Sequence, residues 1–480
     1  MPIYLWRKLT YIILIPIFIN SLSFAQLKVE GEGKDLLIKN ATILTVTHGK
    51  IENGSILIHN GTIKAVGMDI AVPDNVRVID ATGRYVIPGI IDSHSHMASE
   101  GGINESTGIV TPEVNIHDVI RHDDISLYRA LAGGVTAINT LHGSANVIGG
   151  RNSVLKLKWG KPAEQLLVPG AMEGIKFALG ENPKRSNTSN PSARRFPASR
   201  MGVMFTIRKA FTEAKEYMRK WDAYELKKKG KIKKSKWETN LEPIPPKRDL
   251  RLEALADILR GKLGIICHAY RADEMLALME LADEMEFKVI SFEHCLEGYK
   301  IADEIAQHGV IASIFADSWA YKMEAFDAIP YNAAILTERG VKVTINSDSA
   351  ERVRRLYQDA AKTIKYRGLS ETEALKTITL NPAIMLGIDD RVGSIEVGKD
   401  ADLAIFSGHP FSVYSRVEMT LIEGEIYFDL ATAMTVEKLL AESQKILFGD
   451  YHPWSGVYFL GGRRTINLTK SKSQSCNFPI

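Results

Sequence analysis

Three apolar runs in this chain each stop at a residue that can bind a metal ion or move a proton. Gly264-Ile265-Ile266-Cys267 ends at His268, Val289-Ile290-Ser291-Phe292-Glu293 ends at His294, and the run at 341–347 ends at Asp348. An earlier run leads into Asp92-Ser93-His94-Ser95-His96. Side chains two apart on a strand project to one face, so His94 and His96 offer two nitrogens to one ion. A lone histidine at a strand end is usually structural. Four of them, followed by an aspartate, are hard to explain as core and point to a metal site.

Runs at 85–91, 135–141, 174–179, 264–267, 289–292, 310–315 and 341–345 read as buried strands, with helical patterns such as 274–286 and 350–365 between them. That alternation predicts an α/β fold built on parallel strands. Seven runs at this spacing fit a (β/α)8 TIM-like barrel, whose chemistry gathers at the C-terminal ends of its strands. Periodicity alone leaves an open doubly wound sheet as the rival. The flanks differ: Asn60-Gly61 separates two short alternating segments, and Glu423-Gly424 does the same near the other end. The expected organisation is a small β-sandwich domain made from 26–84 and 386–430, enclosing a barrel over 85–385. The extension at 431–480 has no assigned role.

Composition narrows the class. In 480 residues, 60 Lys+Arg face 57 Asp+Glu, and 45% of the chain is hydrophobic. This is globular composition with no global charge for nucleic acid. Three cysteines make no disulfide framework, and Cys267, Cys295 and Cys476 read as packing residues. Arg7 and Lys8 precede an apolar stretch at 11–22 and small residues up to Ala25. The stretch is short of the ~20 residues that span a bilayer, so 1–25 reads as an export signal, implying a periplasmic or secreted enzyme with no transmembrane span after its removal. Between 184 and 236 there are 17 Lys/Arg and 4 Asp/Glu. Met204, Ile207, Phe211, Ala214, Met218 and Trp221 recur there at helical spacing, so the basic insertion (about 184–245) contains an amphipathic helix. Its excess charge reads first as a solvated surface and second as a site for an acidic partner.

The chain resembles the amidohydrolase superfamily of metal-dependent barrel hydrolases, in particular its imidazolonepropionase- and prolidase-like branch. The resemblance rests on VIPGIIDSHSHM at 86–97, ICHAYRADE at 266–274, FEHCLEGYK at 292–300, INSDSAER at 345–352 and TLNPAIMLGIDDRVGSIEVGKDADLAIF at 379–406. It implies that His94 and His96 hold a more buried divalent metal and His268 and His294 a more exposed one, with zinc suiting mixed nitrogen and oxygen ligands. Asp348 would bind metal and shuttle the proton. A two-metal centre needs a bridging anion, for which Lys176, carbamylated, is the first candidate, with Glu173 and Glu181 as rivals.

The implied reaction is hydrolysis of a C–N bond by a water that the metals acidify, with Asp348 as base and then acid. The expected substrate is a small amide or peptide, with no nucleic acid as partner. Arg271 could bind a substrate carboxylate, favouring a dipeptide or N-acyl amino acid, or could pair with Asp273. Tyr270 lies beside it on the expected rim. His142 is either a substrate-orienting group or a structural histidine. Cyclic-amide hydrolysis and N-deacetylation stay open within the enzyme class, and a homo-oligomer is compatible. The reading from another class is a non-catalytic barrel that binds an acidic partner through its basic insertion.

Overall fold

The computed structural model describes residues 27–31, 35–100, 102–184, 195–230 and 242–433, together with Lys438 and the backbone of Val457–Leu460 and Arg464–Asn467. The export signal expected at 1–25, Cys476 and the lysines between 231 and 236 lie outside these residues. Among the described residues, no helix is long and apolar enough to cross a membrane.

Both flanks enter one nine-stranded sheet. Leu403–Phe406 pairs antiparallel with Tyr85–Pro88, which lies parallel to Leu36–Leu44. Alternate residues along these strands, including Ile38, Ile56, Ile79, Val86, Leu403 and Ile405, close a core separate from the main one. Asn60-Gly61 and Glu423-Gly424 both form the turns their sequences favour, with all four residues at positive φ. The ladder is continuous, where a sandwich would have two separately paired sheets. Register shifts within Leu36–Leu44 give it the local bends that bulges impose.

The middle of the chain is mixed α/β. Ile90–Ser95 pairs in parallel with Val135–Thr140. Gly174–Ala178, Gly264–Ala269, Val289–His294, Ile311–Ile314 and Val343–Ile345 pair in parallel in that order. These seven strands belong to two ladders. The ladders meet through side chains: Ser93 Oγ lies 2.9 Å from Thr344 Oγ1, and Asn152 links Asn139 to Gly174. Two short strands not evident in the sequence, Ile148–Arg151 and Ser153–Lys156, add antiparallel pairs to the ladders. Helices such as Ala272–Met285, Ala302–His308 and Asn332–Glu338 fall between parallel strands.

The run at 85–91, expected as one strand, is two. Tyr85–Pro88 joins the flanking sheet and Ile90–Ser95 the central one, with the break at Gly89. A Cβ at Gly89 would sit 2.1 Å from Thr136 Oγ1, so only glycine lets the chain cross there. The basic insertion contributes a long helix, Arg200–Lys228, capped by Ser199 Oγ on the Gly202 amide. Its buried face includes Val203, Ile207, Phe211 and Ala214. Phe211 stacks between Phe177 and Phe287, so this helix is docked on the central layer by aromatic packing.

Candidate metal centre

The four histidines and Asp348 arrive at one place from four strand ends. His94 leaves Ile90–Ser95 with only 1% of its side chain exposed, and its Nε2 lies 3.4 Å from His96 Nε2 and 3.7 Å from Asp348 Oδ1. His96 Nε2 is 3.2 Å from the same oxygen. The His294 ring stands 4.9 Å from that of His94 and 4.6 Å from that of His268. Ligand atoms of His94, His294 and Asp348 all fall within 4.8 Å of one another. Lys176, buried in the middle of Gly174–Ala178, brings Nζ to 3.1 Å from His94 Nε2.

Backbone strain aims two of these groups. Neighbours on an extended strand face opposite sides, yet Glu293 and His294 both reach His94. His294 adopts φ 71° where its strand ends, and Asp348 adopts φ 46°. A non-glycine residue in the left-handed region costs about 1–3 kcal/mol and persists where the surroundings impose it.

Each of the first two histidines has its tautomer set by a partner behind it. His94 Nδ1 donates to Glu293 Oε2 at 2.9 Å, and His96 Nδ1 donates to the Leu141 carbonyl at 2.8 Å. Glu293 is itself fixed by Ser291 Oγ, and Asp92 accepts the Ser347 hydroxyl and amide, tying the first strand to the turn that carries Asp348. Neither Glu293 nor Asp92 stands out in the sequence as a site residue. Each is one or two positions from a histidine and looks like part of its run.

These contacts leave both Nε2 lone pairs pointing at a shared space. Nitrogens of two ligands on one tetrahedral zinc lie about 3.4 Å apart, given Zn–N bonds of about 2.0–2.1 Å, and the 3.4 Å between His94 and His96 matches this. Both ring nitrogens of His268 and Nδ1 of His294 are buried without a hydrogen-bond partner among the described residues. A buried unpartnered polar atom is costly, and a cation would satisfy these. Burial pushes His94, His268 and His294 below the usual histidine range, keeping them neutral as metal ligation requires. Burial opposes ionisation of Asp348, but the surrounding imidazoles hold it well below the usual carboxylate range. The donor set fits a divalent metal.

The other candidates separate clearly. Of the three possible bridging residues, only Lys176 reaches the cluster: Glu173 is exposed and pairs with Arg151, and Glu181 pairs with Lys322. Burial pushes the Lys176 amine down. Tyr270 lines the cluster, its ring 4.6 Å from His268 and 5.2 Å from His294. Arg271 commits one edge of its guanidinium to Asp273, at 2.9 and 3.0 Å, the local pairing its sequence context allowed. His142 has no free nitrogen: Nδ1 donates to Gly143 O at 2.8 Å, and Nε2 accepts from the Glu105 amide at 2.9 Å. It ties a loop to its strand, and the substrate role considered for it finds no support. Cys267 and Cys295 are buried free thiols.

A model of the amidohydrolase family matches residues 331–444. The crystal structure of an amidohydrolase from Thermotoga maritima MSB8 is 35% identical to this chain, covers 82% of it and 100% of its own length, and superposes with a TM-score of 0.73. The amidohydrolase tasK of Hapsidospora irregularis is 28% identical over 88% of this chain, which spans only 46% of that protein. The imidazolonepropionase of Symbiobacterium thermophilum is 28% identical over 74% of this chain and 84% of its own. The match along the entire Thermotoga maritima chain places this protein in the amidohydrolase family, whose members are hydrolases acting on C–N bonds.

Proposed function

We propose that the chain is an exported metal-dependent amidohydrolase that cleaves the amide C–N bond of a dipeptide or N-acyl amino acid. The observation that carries this reading is the convergence on His94 Nε2 of His96 Nε2 at 3.4 Å, Lys176 Nζ at 3.1 Å and Asp348 Oδ1 at 3.7 Å. His94, His96, His268, His294 and Asp348 would hold one or two divalent ions, zinc being the best match to nitrogen and oxygen donors. Bound there, the metal supplies Lewis acidity and lowers the pKa of water toward neutrality. Export rests on the sequence of residues 1–25, and an eight-stranded barrel is the simplest closure of the two ladders.

The protein's own groups do the rest. Asp348 takes the proton of the attacking water and returns it to the departing nitrogen. Its Oδ1 lies 3.2 Å from His96 Nε2, in the space that the metal would occupy. An ammonium at Lys176 would compete with any cation for His94. Burial disfavours that ammonium, and reaction of the neutral amine with carbon dioxide, with loss of a proton, would leave a carbamate whose negative charge suits metal binding. Tyr270 walls the cluster on the His268 side.

Hydrolysis of a cyclic amide is the second reading, favoured by the likeness to an imidazolonepropionase. Protein stripped by a chelator and reloaded with zinc should be assayed on dipeptides, N-acyl amino acids and lactams. Zinc-dependent release of amino acid from the first two groups is the expected result. Turnover of lactams alone would move the assignment to the second reading.

A further inference from the structure

Asp348 is the most exposed member of the cluster. Its side chain is 31% exposed, against 1% for His94 and 24% for His96. Its backbone sits at φ 46°, which a non-glycine residue keeps only where its surroundings impose it. The groups that impose it belong to the first central strand. Asp92 Oδ2 accepts the Ser347 hydroxyl at 2.5 Å, and Asp92 Oδ1 accepts the Ser347 amide at 3.1 Å. The Asp348 amide donates to the His94 carbonyl at 3.2 Å, and the Ser349 amide donates back to Ser347 Oγ at 3.2 Å. Each residue of the turn at 347–349 is thus tied, directly or through Ser347, to the strand that carries His94 and His96.

Stability alone does not call for a carboxylate at position 92. Asp92 is fully buried, and among the described residues no lysine, arginine or histidine side chain pairs with it. A buried charge without a cation is costly. Only a carboxylate serves all three donors here, the third being the His94 amide at 3.3 Å. An asparagine would turn its NH2 group towards one of them and lose that acceptor. The three donors come from the two segments that supply His94 and Asp348, so one side chain sets the spacing between a metal ligand and the proton carrier.

We propose that Asp92 is a positioning residue: it fixes the turn at 347–349 so that Asp348 faces the histidine cluster as metal ligation and proton transfer require. The proposal rests on the metal-dependent amide-hydrolase reading above and deepens it. Asp92 acts through Asp348, and the four histidines suffice to retain metal when it is replaced.

The test is a cycle of Asp92→Asn and Asp348→Ala in cobalt-substituted protein, whose visible absorption reports the ligands and geometry of the ion. Asp92→Asn should keep its metal and alter the spectrum. The alteration should vanish when residue 348 is already alanine, because the two side chains act as a unit. On N-acetyl-leucine, zinc-loaded Asp92→Asn should lose about 10- to 100-fold in kcat, with KM within about threefold of wild type. Equal spectral changes in both backgrounds, or loss of the metal, would assign Asp92 to His94 or to the fold at large and overturn the proposal. An unchanged spectrum or an unchanged kcat would overturn it too. If wild type does not turn over the amide, the amide-hydrolase reading fails, and the cobalt cycle still decides the role of Asp92. Ser347→Ala, matched to wild type in thermal midpoint, removes the shortest of the three bonds and should reproduce the spectral change. It decides the question should Asp92→Asn not fold.

Discussion

His94 Nδ1 donates to Glu293 Oε2 at 2.9 Å, with 1% and 0% of the two side chains exposed. The bond fixes which nitrogen of His94 faces the cluster, and the negative charge behind the ring raises its strength as a ligand. Glu293→Leu should therefore weaken metal binding by about 10- to 100-fold. Competition with a chromogenic chelator would measure it, and an unchanged affinity would show that Glu293 serves only packing.

Asp348→Asn should separate binding from chemistry. The amide keeps one oxygen donor but cannot take a proton, so the variant should retain metal and lose about 100- to 10,000-fold in kcat. A metal-loaded variant with near-wild-type kcat would remove Asp348 from the proton-transfer role.

Lys156 joins the central layer to the flanking sheet. Its buried Nζ contacts Asp400 at 2.7 Å, Asp402 at 3.1 Å and Glu423 at 3.2 Å. Lys156→Met strands these carboxylates without their shared cation, and breaking a buried charge cluster this way costs about 3–5 kcal/mol. Urea unfolding should show the loss. A change below about 1 kcal/mol would mean that water or Arg391, 3.0 Å from Asp400, replaces the lysine.

The His142 ring should make stability pH-dependent. Burial pushes its pKa down to about 4, partly offset by its bond to Gly143 O. The folded state therefore favours the neutral ring: its contribution is full above the unfolded pKa near 6.5 and is lost as pH falls towards 4. Wild type should lose up to about 3 kcal/mol over that window from this group. His142→Gln, though less stable at pH 7, should show a shallower fall on acidification. Parallel stability–pH curves for the two proteins would contradict this account.

Much of the arrangement around the cluster is legible in linear sequence because apolar runs in α/β layers end where their side chains leave the core. His268, His294 and Asp348 could be picked out for that reason, and Asn60-Gly61 because its turn demands positive φ at both positions. Glu293 was hidden by the same logic: strict alternation puts it opposite His294, and only the φ of 71° at His294 brings both to His94. Gly89 divided an apparently single run because the constraint on it, Thr136, comes from another strand. His142 sits at a strand end like the others, but its partners, Gly143 and Glu105, are loop backbone that no pattern reveals.

The central claim is that these five side chains hold a divalent metal that amide hydrolysis requires. Elemental analysis of the purified chain, His94→Ala and Asp348→Asn, paired with the amide assay, tests it most directly. The account predicts bound divalent metal, zinc foremost, in wild type and Asp348→Asn, with loss of both metal and activity in a folded His94→Ala. A folded wild-type chain that carries no divalent metal, and whose amide hydrolysis survives exhaustive chelation, would contradict it.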